Sequence, residues 1–269
     1  MDDATHFAQY LHFTPSMFNN SFIAERLKLR IRIAEARWNP RVRHSQFRDT
    51  PLKLVNSTWW NTTDPTLIEQ EIGAYFDALP SPLPPDSHVL DAGAAAGLFS
   101  ISWALKYPNS KLFAFEPSER QRTLLTRNAT LNKVSRKIAI FPTGLWNEPT
   151  TLSFRTHGDI SSVEGLTPNL NRFQFTEHIP VIKLDDWVQQ NKIEKLDLIK
   201  MDIEGAEIEA LHGATQTLQS LKPQLLVQAY HIRNGVRTLE PCVDWLTRQC
   251  GYACREWRKT ALIHATPPR

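Results

Sequence analysis

The order of hydrophobic and polar positions along the chain changes near residue 80. Beyond it, short apolar runs, several ending in an acidic residue, alternate with longer amphipathic stretches. Such alternation predicts an α/β fold, a doubly wound sheet of parallel strands connected by helices. The predicted strands are 88–91, 111–116, 138–141, 196–201 and 225–229, with a further pair at 151–154 and 178–182 and closing strands within 252–264. The predicted helices are 98–107, 119–132, 185–190, 207–212 and 240–250.

The first 80 residues lack this alternation. We therefore predict two domains, a mostly helical extension over residues 1–80 and a sheet domain over 81–269. The stretch 26–48 holds many Lys and Arg residues but a single acid, Glu35. Its apolar positions fit either a strand or a helical stripe, and the continuation through Glu35 favours the helix. This helix is expected to end at Asn39–Pro40, because the residue before a proline avoids helical geometry.

A second helix is predicted in the extension, after a short strand at 52–55. Asp64 is its expected N-cap and Pro65 its first residue, since both types are preferred at those positions. The apolar stripe of this helix must be buried. We therefore expect the extension to pack over the carboxyl edge of the sheet as a lid. The stripe consists of Ile68, Ile72, Tyr75 and Phe76.

The composition is that of a globular protein. Of 269 residues, 41% are hydrophobic and 22% are charged, which excludes wholesale disorder. The net charge of +3 permits an anionic ligand without requiring nucleic acid. The three cysteines, Cys242, Cys250 and Cys254, do not form a disulfide framework and fit a reducing compartment. Even with His264 as a fourth ligand their spacing matches no usual zinc pattern, so no metal site is predicted.

Targeting signals are not apparent in the sequence. The N-terminus has no basic segment followed by an apolar run, so no signal peptide is predicted. No stretch approaches the ~20 apolar residues that span a bilayer. We expect a cytoplasmic protein without a membrane partner.

Candidate chemistry lies at the strand ends, because ligands of doubly wound sheets bind beyond the carboxyl ends of the strands. Asp91 ends the first strand and is followed by the loop 92–97, which holds only Gly and Ala. Small side chains let a ligand approach the backbone and the N-terminus of the next helix. The loop does not supply the dinucleotide fingerprint G-x-G-x-x-G, since position 95, which would be its second glycine, is alanine, and a phosphate-binding loop is absent. Tight packing of strand against helix explains the small residues equally well.

Glu116 ends the second strand. A carboxylate there can accept hydrogen bonds from both hydroxyls of an adenosine ribose. NAD enzymes use the same device, so Glu116 indicates a nucleoside without specifying which one. The alternative is an exposed acid in the turn before Pro117.

The segment 197–207 is the most distinctive. Lys200 interrupts an apolar run that should be covered on both faces, so it needs a partner. If the strand continues far enough, Lys200, Asp202 and Glu204 share one face, and we expect a salt bridge to Asp202 or Glu204. The alternative is that Lys200 extends to solvent at an edge and that Glu207 and Glu209 lie on a solvated helix face.

These strings together resemble the FkbM family of S-adenosylmethionine-dependent methyltransferases, over about 86–257. The resemblance rests on 89–97, 113–117, 184–186, 198–207 and 211–214, and Lys-x-Asp-x-Glu-Gly-Ala-Glu at 200–207 is its most specific part. It implies a Rossmann-like class I methyltransferase sheet with an antiparallel last strand, and S-adenosylmethionine as cofactor. The cofactor-binding residues expected from this resemblance and the strand ends are Asp91, Gly93, Ala94, Gly97, Glu116, Pro117, Gly144 and Asp202.

The expected catalytic residues are His231, Asp202 and Glu204. Related proteins often carry Glu near the end of the fifth strand, where this chain has Gln228, which shifts attention to His231 as a base that titrates near neutrality. They also often carry Asn where this chain has Ala95. The expected substrate-binding residues are Glu204, Tyr230, His231 and Trp146.

The resemblance favours O-methylation of a small-molecule hydroxyl, on a sugar or a secondary metabolite. N-methylation, or another alkylation or cyclisation driven by the same cofactor, stays open. A nicotinamide oxidoreductase is disfavoured by the missing glycine. A non-catalytic RNA- or partner-binding module would use the basic stretch 26–48. That stretch has no recognised RNA motif and is more typical of a solvated helix face, so nucleic acid is not an expected partner.

Overall fold

A seven-stranded sheet organises the protein. The computed structural model describes residues 42–55, 64–80, 83–157, 160–163, 175–233, 235–257 and 260–269, and side chains are not described at 154–157, 160–163 and 175–176. The basic helix predicted to end at Asn39–Pro40 lies outside these residues. Within them, 42–269 forms one compact unit.

The main elements follow the predicted alternation. The helices are α1 (Pro65–Ala78), α2 (Leu98–Lys106), α3 (Glu119–Leu131), α4 (Leu184–Gln190), α5 (Glu207–His212), α6 (Thr215–Ser220) and α7 (Leu239–Cys250). In chain order, the first seven described strands are β1 (Val42–Phe47), β2 (Thr50–Val55), β3 (His88–Ala92), β4 (Lys111–Phe115), β5 (Ile138–Phe141), β6 (Gly144–Leu145) and β7 (Thr150–His157). The remaining strands are β8 (Ile160–Val163), β9 (Phe175–Ile182), β10 (Leu198–Met201), β11 (Gln224–Gln228), β12 (Ile232–Arg233), β13 (Val236–Arg237), β14 (Ala253–Trp257) and β15 (Leu262–Thr266).

The sheet has the order β14-β15-β11-β10-β3-β4-β5. The five strands from β11 to β5 are parallel, and β15 lies antiparallel between β11 and β14. The doubly wound sheet and its antiparallel last strand are therefore confirmed. Strand order reverses between β3 and β10, which is where such sheets bind ligands.

Both faces of the sheet are covered, as the continuous apolar strands require. Neighbouring residues of one strand, such as Leu198 and Ile199, point into different layers. Leu198 packs with the hairpin β1–β2 and helices α1, α2 and α3, whereas Ile199 packs with α4 to α7.

Helix α1 begins as the sequence predicts. The Asp64 side chain accepts a hydrogen bond from the backbone N–H of Thr66 at 2.8 Å, and Pro65 is the first helical residue. All four residues of the apolar stripe are buried in the same hydrophobic cluster as the sheet.

The described part of the predicted extension is less helical than expected. It consists of the β1–β2 hairpin followed by α1, and both pack in the core of the sheet domain. The hairpin is attached to α3, because Asn128 Oδ1 accepts the N–H of Val55 at 2.7 Å. Residues 42–78 are thus part of the sheet domain's compact unit.

A smaller sheet, ordered β6-β9-β7-β8, holds the predicted pair of strands as β7 and β9. No helix among the described residues is both long and apolar enough to cross a membrane.

Candidate functional site

A cavity of about 560 Å³ opens at the carboxyl ends of β3, β4 and β10. Its walls come from the loop after β3, from the start of the segment after β4, from the segment after β10 and from helix α1. It is therefore at the edge where the sequence places the candidate residues. The predicted residues that line it are Gly93, Ala94, Glu116, Pro117, Gly144, Trp146, Asp202, Glu204 and Tyr230.

The loop after β3 presents backbone to the cavity. Gly93 and Gly97 have positive φ angles of 74° and 90°, and Ala95 has one of 45°. A Cβ on Gly93 would collide with the carbonyl oxygen of Asp202, so the loop touches the end of β10 directly. A Cβ on Gly97 would collide with the side chain of Leu125 in α3. Gly97 does not line the cavity but lets α2 pack closely on α3.

Lys200 is buried, as predicted, but its partner is a different acid. Its Nζ lies 3.0 Å from Asp91 Oδ1 and donates to the carbonyl of Gly93 at 3.0 Å. The predicted salt bridge to Asp202 or Glu204 is wrong because β10 ends at Met201, before either acid. Lys200 and Asp91 are instead direct neighbours on the paired strands β10 and β3.

Asp91 is fully buried and does not line the cavity. Its second oxygen accepts a hydrogen bond from Ser100 at 2.6 Å. Burial alone would lower the pKa of Lys200, but the charges of Asp91 and Asp202 raise it. The pair therefore joins β3, β10 and α2 beneath the loop, and the expected direct contact of Asp91 with a cofactor stays a prediction.

Glu116 is buried at the end of β4, so the alternative of an exposed acid is wrong. Its two oxygens accept the backbone N–H groups of Ala95 and Ser118, each at 2.8 Å. Burial raises the pKa of Glu116 to about 7, and the two N–H donors limit the rise. A carboxylate has about four lone-pair sites, so each oxygen can still accept one hydroxyl.

Asp202 follows β10 and also lines the cavity. Its Oδ2 accepts a hydrogen bond from the hydroxyl of Tyr75 at 3.0 Å, and its Oδ1 is buried without a hydrogen-bond partner among the described residues. Burial of the carboxylate raises the pKa of Asp202 to about 6, an increase that Lys200 limits. Tyr75 thus brings helix α1 into the site.

Beyond Asp202 the chain turns sharply. Glu204 adopts a φ of 57°, which a residue with a side chain rarely accepts, and Gly205 follows with 97°. Glu207 fixes this turn, because its Oε1 accepts the N–H groups of Ile203 and Gly205 at 3.3 and 3.1 Å. Glu207 is fully buried, so the solvated helix face considered for it is wrong.

His231 is 5% exposed and lies behind this turn, outside the cavity lining. Its Nε2 is 3.2 Å from Glu204 Oε2 and its Nδ1 is 3.0 Å from Glu207 Oε1. Burial alone would lower the pKa of His231, but the two carboxylates raise it to about 10. The expectation that His231 titrates near neutrality is therefore wrong.

Gln228, at the position that shifted attention to His231, is turned away from the site. Its side-chain amide donates to the carbonyl of Thr260. Tyr230 lines the cavity at its rim, is 47% exposed and lies with its ring 4.1 Å from that of His231.

Tyr75 and Glu207 have clear contacts in the site, and the sequence did not assign either of them to it. Tyr75 was visible only as one position of an apolar stripe, and its hydroxyl was the one signal of a polar contact. Glu207 closes the Lys-x-Asp-x-Glu-Gly-Ala-Glu string, which already set it apart from an ordinary surface acid.

Comparisons with known proteins agree with this architecture. A family model for the methyltransferase FkbM domain matches residues 91–254. Methyltransferase sdnD of Sordaria araneosa is 26% identical over 198 residues, 63% of this chain and 75% of that protein. The 2-O-methyltransferase NoeI of Sinorhizobium fredii is 26% identical over 148 residues, 50% of this chain and 60% of that protein.

Among solved structures, the methyltransferase FkbM of Methylobacillus flagellatus superposes with a TM-score of 0.51 at 20% identity. The match covers 71% of this chain but only 46% of that one. This similarity supports the sheet order described above.

Proposed function

Because the chain belongs to the FkbM family and is an S-adenosylmethionine-dependent methyltransferase, we propose that it methylates a hydroxyl group of a small polar molecule. The observation that carries the proposal is the presence of two acidic residues in the cavity wall. Asp202 and Glu204 line the same cavity as the loop 93–96.

The loop 93–96 and Glu116 fit the cofactor. The loop has no side chain beyond Cβ to obstruct a ligand, and Glu116 is a buried carboxylate with free lone pairs. Ala94, Pro117 and Gly144 line the same cavity. When bound, S-adenosylmethionine supplies a methyl group that is already activated by a sulfonium.

The chain's own task is then to position the acceptor. Holding a nucleophile in near-attack geometry is worth up to ~7–11 kcal/mol. Asp202 and Glu204 can accept hydrogen bonds from acceptor hydroxyls, while Trp146 and Tyr230 offer ring surfaces. Since both carboxylates line the cavity and His231 does not, they are better placed than His231 to receive a proton.

N-methylation is a second candidate, favoured by the same acidic residues. Two carboxylates would bind a protonated amine well. The name of the relative NoeI, a 2-O-methyltransferase, supports the hydroxyl.

The test presents the purified chain and methyl-labelled S-adenosylmethionine with matched polyhydroxylated and amine-bearing acceptors. NMR of the product distinguishes an O-methyl from an N-methyl group. We expect O-methyl products. Products that are N-methylated only would overturn the hydroxyl assignment.

Glu116→Ala tests the ribose assignment independently of the acceptor. The variant should bind S-adenosylhomocysteine at least ~10-fold more weakly, a loss of about 1.4 kcal/mol, while melting normally. Glu119→Ala, which removes an exposed acid three residues later, is the matched control and should bind normally. Unchanged affinity in folded Glu116→Ala would contradict the assignment.

A further inference from the structure

One corner beside the cavity concentrates groups that bind metal ions. Asp202, Glu204 and His231 each offer one ligand atom there, and these atoms all lie within 4.8 Å of one another. Two of the residues come from the segment after β10, and His231 follows β11. The sheet brings them together although 27 positions separate Glu204 from His231 in the sequence.

The polar atoms of this corner are incompletely satisfied. Asp202 Oδ1 is buried and finds no hydrogen-bond partner in the described part of the chain, since Tyr75 contacts the other oxygen. His231 is 5% exposed, and within the described residues its two ring nitrogens form ion pairs but no aligned hydrogen bond. The carboxylates of Glu204 and Glu207 lie at hydrogen-bonding distance from the ring but without the alignment of a hydrogen bond. Buried polar atoms left in this way are costly unless something else binds them.

The charges of the corner point to a cation. The carboxylates of Asp202, Glu204 and Glu207 surround a single imidazole, whose protonated form offsets only one of their three charges and whose Nε2 proton an incoming metal ion would displace. The buried ammonium of Lys200 is paired with Asp91 at 3.0 Å. Grouped carboxylates that are removed from water normally bind a counter-charge or a metal ion.

We propose that Asp202, Glu204 and His231 form a binding site for a divalent metal ion of the Mg²⁺ or Mn²⁺ type. Two carboxylate oxygens with one imidazole nitrogen suit an octahedral ion of intermediate hardness, such as Mn²⁺. Glu207 lies 3.0 Å from Nδ1, where a carboxylate commonly orients a metal-ligating histidine through its other nitrogen.

The role of the ion rests on the proposed function. Three protein ligands leave coordination positions open towards the cavity, where an acceptor hydroxyl can bind. With Asp202 and Glu204 acting as ligands rather than as bases, the ion lowers the pKa of that hydroxyl, and its proton leaves to solvent. The new O–C bond then forms as the S–C bond of the cofactor breaks, and the sulfur keeps the electron pair as a thioether.

The experiment titrates Mn²⁺ into the full chain after removal of metals with EDTA. Electron paramagnetic resonance measures free Mn²⁺, with and without S-adenosylhomocysteine. We expect one bound Mn²⁺ per chain. Glu204→Gln should weaken Mn²⁺ binding at least tenfold. Because the Glu204 side chain is partly exposed, we expect this variant to fold. Asp202→Asn should weaken Mn²⁺ binding in the same way.

The matched control is Glu209→Gln. This carboxylate lies close by on α5, but Arg233 donates to both its oxygens at 2.7 and 2.6 Å. Its loss should leave Mn²⁺ binding unchanged.

Two results would overturn the metal site. One is a chain that binds S-adenosylhomocysteine but no Mn²⁺, and the other is wild-type Mn²⁺ affinity in both carboxylate variants. Methyl transfer at an unchanged rate in EDTA would remove the ion's role while the proposed function stands. A chain that binds Mn²⁺ but not S-adenosylhomocysteine would instead overturn the proposed function and retain the metal site.

Discussion

At the scale of single residues, Glu116 connects burial to ligand affinity. Its pKa of about 7 means that a neutral solution holds the carboxyl partly protonated. The ionised form is the stronger acceptor for two ribose hydroxyls. Binding of S-adenosylhomocysteine should therefore weaken as the pH falls from 8 to 6, approaching ~10-fold per pH unit below the pKa.

Calorimetry across this pH range measures the effect. Glu116→Gln should bind more weakly at pH 8, and its affinity should not change with pH.

Glu116 gives the stability of the ligand-free protein the opposite dependence on pH. A carboxyl whose pKa rises on folding, here from 4.5 to about 7, makes the folded state bind more protons, so stability falls as the pH rises through that window. If affinity for S-adenosylhomocysteine changed with pH in the same way in the wild type and in Glu116→Gln, the raised pKa of Glu116 would be contradicted.

The ion pair between Lys200 and Asp91 governs stability more than the sequence suggested. Lys200→Met leaves the fully buried carboxylate of Asp91 without its cation, which typically costs ~3–5 kcal/mol. Urea unfolding should show this loss, and Lys200→Met combined with Asp91→Asn should recover part of it. Lys195→Met is the control, because Lys195 pairs with Asp86 at the surface and its loss should leave stability close to that of the wild type. Similar losses in the two lysine variants would count against the buried pair.

Prediction of single residues succeeded where the sequence itself marks the end of a strand. The glycine loop and Glu116 follow directly from strand ends, and both line the cavity. The partner of Lys200 was missed because the pairing of β10 with β3 is a tertiary register that local spacing does not contain. The charge state of His231 was missed for the same reason, since the turn at Glu204 sets its distance to both carboxylates.

At the scale of elements, α1 forms one wall of the cavity, although it precedes the region matched by the family model. Asp64 caps this helix, so Asp64→Ala should destabilise the protein by about 1 kcal/mol. Asp64→Asn retains a capping oxygen and should stay near wild type. Thermal or urea unfolding of the two variants makes the comparison. An equal loss in both would show that the cap itself is not responsible.

The elements of the sheet were largely predictable, because continuous apolar runs and polar strand ends are strong local signals. The β1–β2 hairpin was only half anticipated, as a strand at 52–55. Val42–Phe47 is mostly exposed, and the basic residues around it gave no alternating apolar face to indicate a strand.

At the scale of the whole molecule, the described lining of the cavity lies within residues 67–230. A chain that begins at Val42 should therefore keep the affinity of the full chain for S-adenosylhomocysteine. A chain that begins at Pro65 lacks the hairpin and exposes the core positions that Leu52 and Leu54 cover, each worth roughly 1.5–3 kcal/mol. Calorimetry should detect binding in the first chain and weak or absent folding in the second. Loss of binding in the first would show that residues 1–41 support the cofactor site.

The position of β15 between β11 and β14 has a consequence for synthesis on the ribosome. The nascent chain emerges in sequence order, so β11 has no neighbour on this side until Leu262–Thr266 has left the exit tunnel. Strand β14 emerges earlier but pairs only with β15 among the described strands, and must wait for it. Until then the five-stranded parallel sheet carries an open, strongly apolar edge of the kind that invites pairing with other chains. Chaperone demand should therefore be greatest in the interval between the emergence of β11 and that of β15.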